Sequence, residues 1–191
     1  MNLATWFEQG LSKHQYIHTM DEHRDDLLTI HNHFQLEKSD LEFLHSLQSE
    51  RIRALVLTAD WCGDAMVNLP IFMRMADEAM IESKYFNRDD NLELMDQYLT
   101  NGTSRSIPII ILIDQNGQEI GKWGPRAPQV QSYVDNAKQE LPPKGEPEFK
   151  QAFLSFISET TERFTTDIDM WTHIKEDMIS MMKQSVSVTK Y

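Results

Sequence analysis

The chain has a single cysteine, Cys62, among 191 residues, so no internal disulfide framework can form. Long apolar runs are equally scarce. The longest block, Ile107–Ile113, is strand-sized and far too short to span a bilayer. The opening residues, MNLATWFEQG, have neither a basic stretch nor an apolar one, and so do not read as a secretory signal. Basic charge is also in short supply: 18 Lys and Arg face 30 Asp and Glu, a net charge of -12. A polyphosphate backbone or an anionic membrane surface would be repelled at long range, which argues against nucleic-acid and membrane partners. Together these features point to a cytoplasmic protein. The length suits one domain with extensions.

What is present falls into three parts. Residues 1–50 read as helical throughout. Ser12 with Gln15, and Ser39 with Glu42, have the spacing of capping boxes, while Leu41, Leu44 and Leu47, like Tyr16 and Met20, recur at helical intervals. Residues 51–141 change style. Ile52–Thr58 is short, apolar and rich in branched residues, as in a buried strand. A helix is predicted from Cys62 to about Met80, a strand over Glu82–Phe86 and a short helix over Asn91–Leu99. A strand over Pro108–Asp114, a turn at Gln115-Asn116-Gly117, a strand over Glu119–Trp123 and a helix over Pro128–Leu141 complete this part. The order is that of an α/β domain. After Pro142-Pro143-Lys144-Gly145, residues 142–191 form a helical extension. One face is marked by Phe149, Phe153, Phe156, Ile157 and Phe164, another by Trp171, Ile174, Met178, Met181 and Met182.

The stretch with chemical content is Thr58-Ala59-Asp60-Trp61-Cys62-Gly63-Asp64-Ala65. A strand ends there and a cysteine stands at the opening of a helix, where free amide N–H groups and the helix dipole favour thiolate over thiol. The segment resembles the thioredoxin active site. Trp-Cys-Gly is in place, Asp64 stands where proline is usual, and Ala65 replaces the second cysteine. Pro70, eight residues after Cys62, matches the helix-kinking proline of thioredoxins. Arg105-Ser106-Ile107-Pro108 before an apolar strand is similar to the segment that carries their cis-proline, and Gly124 matches the glycine after their last strand. The likeness covers about residues 51–141. It implies a thioredoxin-like fold, a central mixed sheet flanked by helices, with helical extensions at both ends. The whole chain resembles a bacterial thioredoxin-family type with a Trp-Cys-Gly-Asp-Ala site.

The resemblance also places the site: Cys62 as nucleophile, with Trp61, Gly63, Asp64, Ala65, Ile107 and Pro108 forming a substrate groove, and a cis Ile107–Pro108 bond beside the sulfur. Three departures exclude ordinary dithiol chemistry. Ala65 removes the resolving thiol, Val56 occupies the position of the buried proton-transfer acid, and Asp60 and Asp64 set negative charge near the sulfur. What remains is single-thiol chemistry on mixed disulfides, with protein or small-molecule thiols as partners. No resident cofactor is called for, only a low-molecular-weight thiol as co-substrate. The alternative is a non-catalytic binding module using the cis-proline groove, or a scaffold built on the C-terminal helices, which are also candidates for self-association. His14, His18, His31 and His33 are closely spaced but lack matching carboxylates or cysteines, so no metal site is expected.

Overall fold

In the computed structural model, which describes residues 2–188, five strands form one mixed sheet. The elements in chain order are α1 (Leu3–Phe7), β1 (Leu11–Ser12), α2 (Lys13–Thr19), α3 (Arg24–His33), α4 (Lys38–Ser46), β2 (Arg53–Thr58), α5 (Gly63–Glu78) and β3 (Glu82–Asn87). They continue with α6 (Leu92–Met95), β4 (Ile109–Ile113), β5 (Glu119–Trp123), α7 (Pro128–Gln139), α8 (Phe149–Thr166) and α9 (Ile168–Val188). The strand order is β1-β3-β2-β4-β5; β2 and β3 run parallel and the other pairs antiparallel. This is the expected α/β thioredoxin-like arrangement.

The central strands need no alternation of polar and apolar residues because helices cover them. Every residue of Ile109–Ile113 is buried, as are Ala54 to Thr58 of β2. α5 lies behind the site with eleven buried residues, and Pro70 sits inside it. A proline there removes one backbone donor and bends the helix. α3, α4 and α8 pack against α5.

The first fifty residues depart from the all-helical expectation. Leu11 and Ser12 pair antiparallel with Tyr85 and Lys84, so β1 covers the edge of β3 that would otherwise stand unpaired. The Ser12–Gln15 capping box forms as expected. The one at Ser39–Glu42 does not: α4 begins at Lys38, the Glu37 N–H donates to Asp40 at 3.0 Å, and Ser39 lies inside the first turn. The helix predicted over Asn91–Leu99 shortens to Leu92–Met95.

The C-terminal extension is stitched to the sheet. Trp123 Nε1 on β5 donates to Asp177 of α9 at 2.6 Å, and Trp171 Nε1 donates to the Phe164 carbonyl at 2.7 Å. A side chain at Gly121 would run into Ser185 Oγ, so α9 lies directly on β5. Met178 and Met182 are fully buried, which makes the methionine stripe helix packing. A buried ion pair, Lys175 Nζ to Asp40 Oδ2 at 2.8 Å, joins α9 to α4 and so ties the last part of the chain to the first.

Candidate active site

Cys62 is the N-cap residue of α5, at the point where β2 has ended and the chain turns over the sheet. Its Sγ donates to the Ile107 carbonyl at 3.5 Å, which brings the cysteine against the loop that precedes β4. The Ile107–Pro108 bond is cis, as the sequence pattern implied. Gly124 makes that arrangement fit. It adopts φ of +123°, and a Cβ there would collide with the Pro108 carbonyl oxygen. Only a residue without a side chain allows the β5 end to pass so close.

The two aspartates that bracket the cysteine behave differently. Burial opposes ionisation of Asp60, but backbone N–H groups outweigh it, including those of Asp21 at 2.9 Å and Glu22 at 3.3 Å. Its carboxyl is therefore held below the usual range. Asp60 thus anchors the turn between α2 and α3. Asp64 accepts a bidentate pair from Arg126, with Nε and Nη2 each 2.5 Å from a carboxylate oxygen. Burial nevertheless pushes its carboxyl above the usual value, and Arg126 offsets only part of that shift.

Cys62 itself reverses an expectation. It stands at a helix N-terminus, yet its thiol is only 7% exposed and is pushed up to about 11. Burial is the first cause and the Asp64 charge the second. The Ala65 and Asp64 backbone amides and the Arg126 guanidinium pull the other way and lose. Desolvation outweighs a dipole that acts through the first turn alone. At rest the site holds a protonated thiol.

Cys62 nonetheless lines an open cleft of about 450 Å³ with Trp61, Asp64, Arg88, Arg105, Ile107 and Arg126 among its walls. Trp61 is 43% exposed and its ring is covered by the Arg88 guanidinium at 4.7 Å, so it forms a wall and not core packing. Gly63 and Ala65 follow in the first turn of α5, where Ala65 is buried and has no thiol to offer. Pro108, expected in the groove, is buried and does not line the cleft; Ile107 and Pro125 do. Val56 is fully buried between Tyr85 of β3 and Ile110 of β4, so the position holds an apolar side chain and not an acid. A larger cleft of about 530 Å³ lies elsewhere, lined by the amides of Asn2, Gln97, Asn116 and Gln118 and by the Tyr98–Glu119 hydrogen-bonded pair, with no thiol.

Sequence reading missed the arginines. Arg88 opens a 3-10 turn after β3, Arg105 stands in the segment before Pro108 without a role read for it there, and Arg126 lies in the loop before α7; they share no spacing. The one usable signal was Asp64, since a carboxylate in the first turn of a buried helix requires a cationic partner. The histidines do not converge: among the described residues no three metal-ligating side chains come together, and His33 Nδ1 donates to the Thr29 carbonyl.

A family model described as thioredoxin matches residues 10–138. The chain belongs to the thioredoxin family. The matched span takes in β1 and the helices α2 to α4 as well as the sheet. No curated protein matches the chain. Among solved structures it is similar to a protein of unknown function from Pseudomonas aeruginosa, with 17% identity over 96% of this chain and 98% of that one and a TM-score of 0.66. It is also similar to an HIV epitope scaffold, at 16% identity over the same shares and a TM-score of 0.60. Fasciola hepatica thioredoxin aligns at 22% identity with 51% of this chain and 91% of that one, with a TM-score of 0.34. No helix among the described residues is long and apolar enough to cross a membrane.

Proposed function

We propose that the chain is a single-thiol exchange enzyme of the thioredoxin family acting through Cys62. The carrying observation is that the only thiol lines an open cleft directly against the Ile107 backbone, where an extended substrate can lie. In the first step the Cys62 thiol loses its proton and attacks one sulfur of a mixed disulfide. The Cys62–S to substrate bond forms, the substrate S–S bond breaks, and the departing thiolate takes up the proton. A second thiol, from a small molecule or a client, then attacks the Cys62 disulfide and restores the free cysteine. The second thiol is the reductant: it leaves joined to the sulfur it displaced from Cys62 while the first leaving group departs as a thiol, and no resolving cysteine is required.

The raised thiol value slows this chemistry without stopping it. Moving from the ordinary 9.0 to about 11 lowers the thiolate fraction about a hundredfold at neutral pH. Thiolate nucleophilicity rises with pKa at a Brønsted slope of about 0.4–0.5, which returns a factor of roughly eight. The net loss is about tenfold, small against what positioning a substrate in a cleft can supply.

The second reading is a binding module that holds extended segments in the same groove without turnover, and the buried, protonated thiol favours it. Cys62→Ser separates the two. For an exchange enzyme, deglutathionylation-type turnover of mixed disulfides disappears in this variant and is present in the parent. For a binding module, neither protein turns over and both retain the same partners with equal affinity.

A further inference from the structure

Beside the Cys62 cleft lies a second pocket, about 240 Å³ in volume, roofed by α8. Its apolar walls come mainly from Val134, Phe153, Phe156, Ile157 and Phe164, and its rim carries Asp64, Arg126 and Lys138. Two of these rim residues, Asp64 and Arg126, also line the Cys62 cleft, so the ion pair they form is a partition between the two spaces. The pocket opens at Gly63, the residue that follows the cysteine, where a Cβ would meet nothing within 4 Å. Phe153 and Ile157 remain 40% and 45% exposed, so none of the described residues covers this apolar wall. Thr160 lines the same pocket with a buried hydroxyl that has no hydrogen-bond partner among the described residues.

We propose that this pocket is the specificity subsite of the Cys62 cleft, taking one large apolar side chain of a peptide whose sulfur is presented to Cys62. The inference rests on the exchange reading for the sulfur but not for the pocket itself. A pocket of this volume is below the size that encloses a drug-sized ligand, and it suits a single phenylalanine- or leucine-sized group. The rim has two cations against one carboxylate on a chain of charge -12, so an acidic residue next to the apolar one complements it and a basic residue does not. A peptide carbonyl entering beside the apolar group would give the Thr160 hydroxyl the acceptor it lacks. The roof belongs to α8, beyond the span matched by the family, so the subsite is a feature of this chain's extension.

The test uses two sets of short blocked peptides on the full chain. In the first, Ser-Phe-Glu, Ser-Ser-Glu and Ser-Phe-Lys are titrated against the Cys62→Ser protein by NMR. The Phe-Glu peptide is expected to bind at least about tenfold tighter than Ser-Glu, the return on burying one aromatic side chain, and several-fold tighter than Phe-Lys. Ile157→Asp at a solvent-exposed position and Gly63→Leu at the open mouth are each expected to bring the Phe-to-Ser ratio close to one. Equal binding of Phe and Ser peptides, a preference for Lys over Glu, or a ratio that survives both substitutions overturns the subsite. In the second set, Cys-Phe-Glu is supplied to the parent protein as its mixed disulfide with nitrothiobenzoate. Release of the coloured thiol reports exchange at Cys62. Selective binding in the first set with no release in the second upholds the subsite and removes the exchange reading alone.

Discussion

Asp64→Asn tests the electrostatics of the site most directly. In the parent protein burial sets the Cys62 thiol high, at about 11, and Asp64 adds to that shift. At the roughly 6–8 Å expected within one helical turn, a unit charge at an effective dielectric near 20 is worth about 2–3 kcal/mol. Screening at the cleft mouth reduces that figure, and a fall of at least about one pKa unit is the expected outcome. Releasing Arg126 from its bidentate pair acts in the same direction, because its guanidinium already favours the thiolate. The substitution leaves the desolvation of the sulfur in place, so the value should stay at or above the ordinary 9.0. The assay is the pH dependence of iodoacetamide alkylation followed by mass spectrometry, with Cys62 as the only thiol in the chain. An unchanged or higher value in Asp64→Asn refutes the assignment of Asp64 as an opposing charge. A parent value below 9.0 refutes the larger claim that burial outweighs the helix dipole.

The raised Cys62 value also predicts an alkaline stability loss. The unfolded thiol ionises near 9 while the folded one resists until about 11, so stability is retained below the first and lost through the second. Two units correspond to about 2.7 kcal/mol, read as the difference in urea midpoints between the parent and Cys62→Ala across that window. A parallel decline in both proteins would assign the loss to other groups. Asp40→Ala leaves the Lys175 ammonium buried without its carboxylate and should cost about 3–5 kcal/mol by denaturant unfolding, with most of it restored when Lys175→Met is added. Gly124→Ala forces a Cβ onto the Pro108 carbonyl at a φ of +123°, and a destabilisation of at least about 2 kcal/mol is expected. Wild-type stability in that variant would mean the β5 end and the Pro108 loop are not in fixed contact.

Much of the fold could be read from the chain because its signals are local. Ile52–Thr58 and Pro108–Asp114 are runs whose apolar, branched composition fits buried strands, and they became Arg53–Thr58 and Ile109–Ile113. Cys62 and the Ile107-Pro108 segment were separable from the rest by motif order alone; Cys62 and Ile107 line the cleft, while Pro108 is buried. β1 was invisible because two residues carry no period, and their pairing is defined only by the β3 edge they meet. The start of α4 was misplaced by two residues because Asp40 serves both the cap and the Lys175 pair.

The sequence alone determined the chemistry available: one thiol, no resolving partner at Ala65, no buried acid at Val56, and a strand-to-helix turn carrying the cysteine. The tertiary structure decided what state that thiol is in and what surrounds it. Burial depends on every element that closes over the sulfur, while a helix dipole depends on one turn, so the sign of the shift at Cys62 could not follow from local sequence. Arg126 reaches Asp64 across 62 residues, and α8 brings Phe156 to the same partition from still further along the chain. Such contacts are set by packing and not by spacing, which is why the pocket beside the cysteine emerged only once the chain was folded.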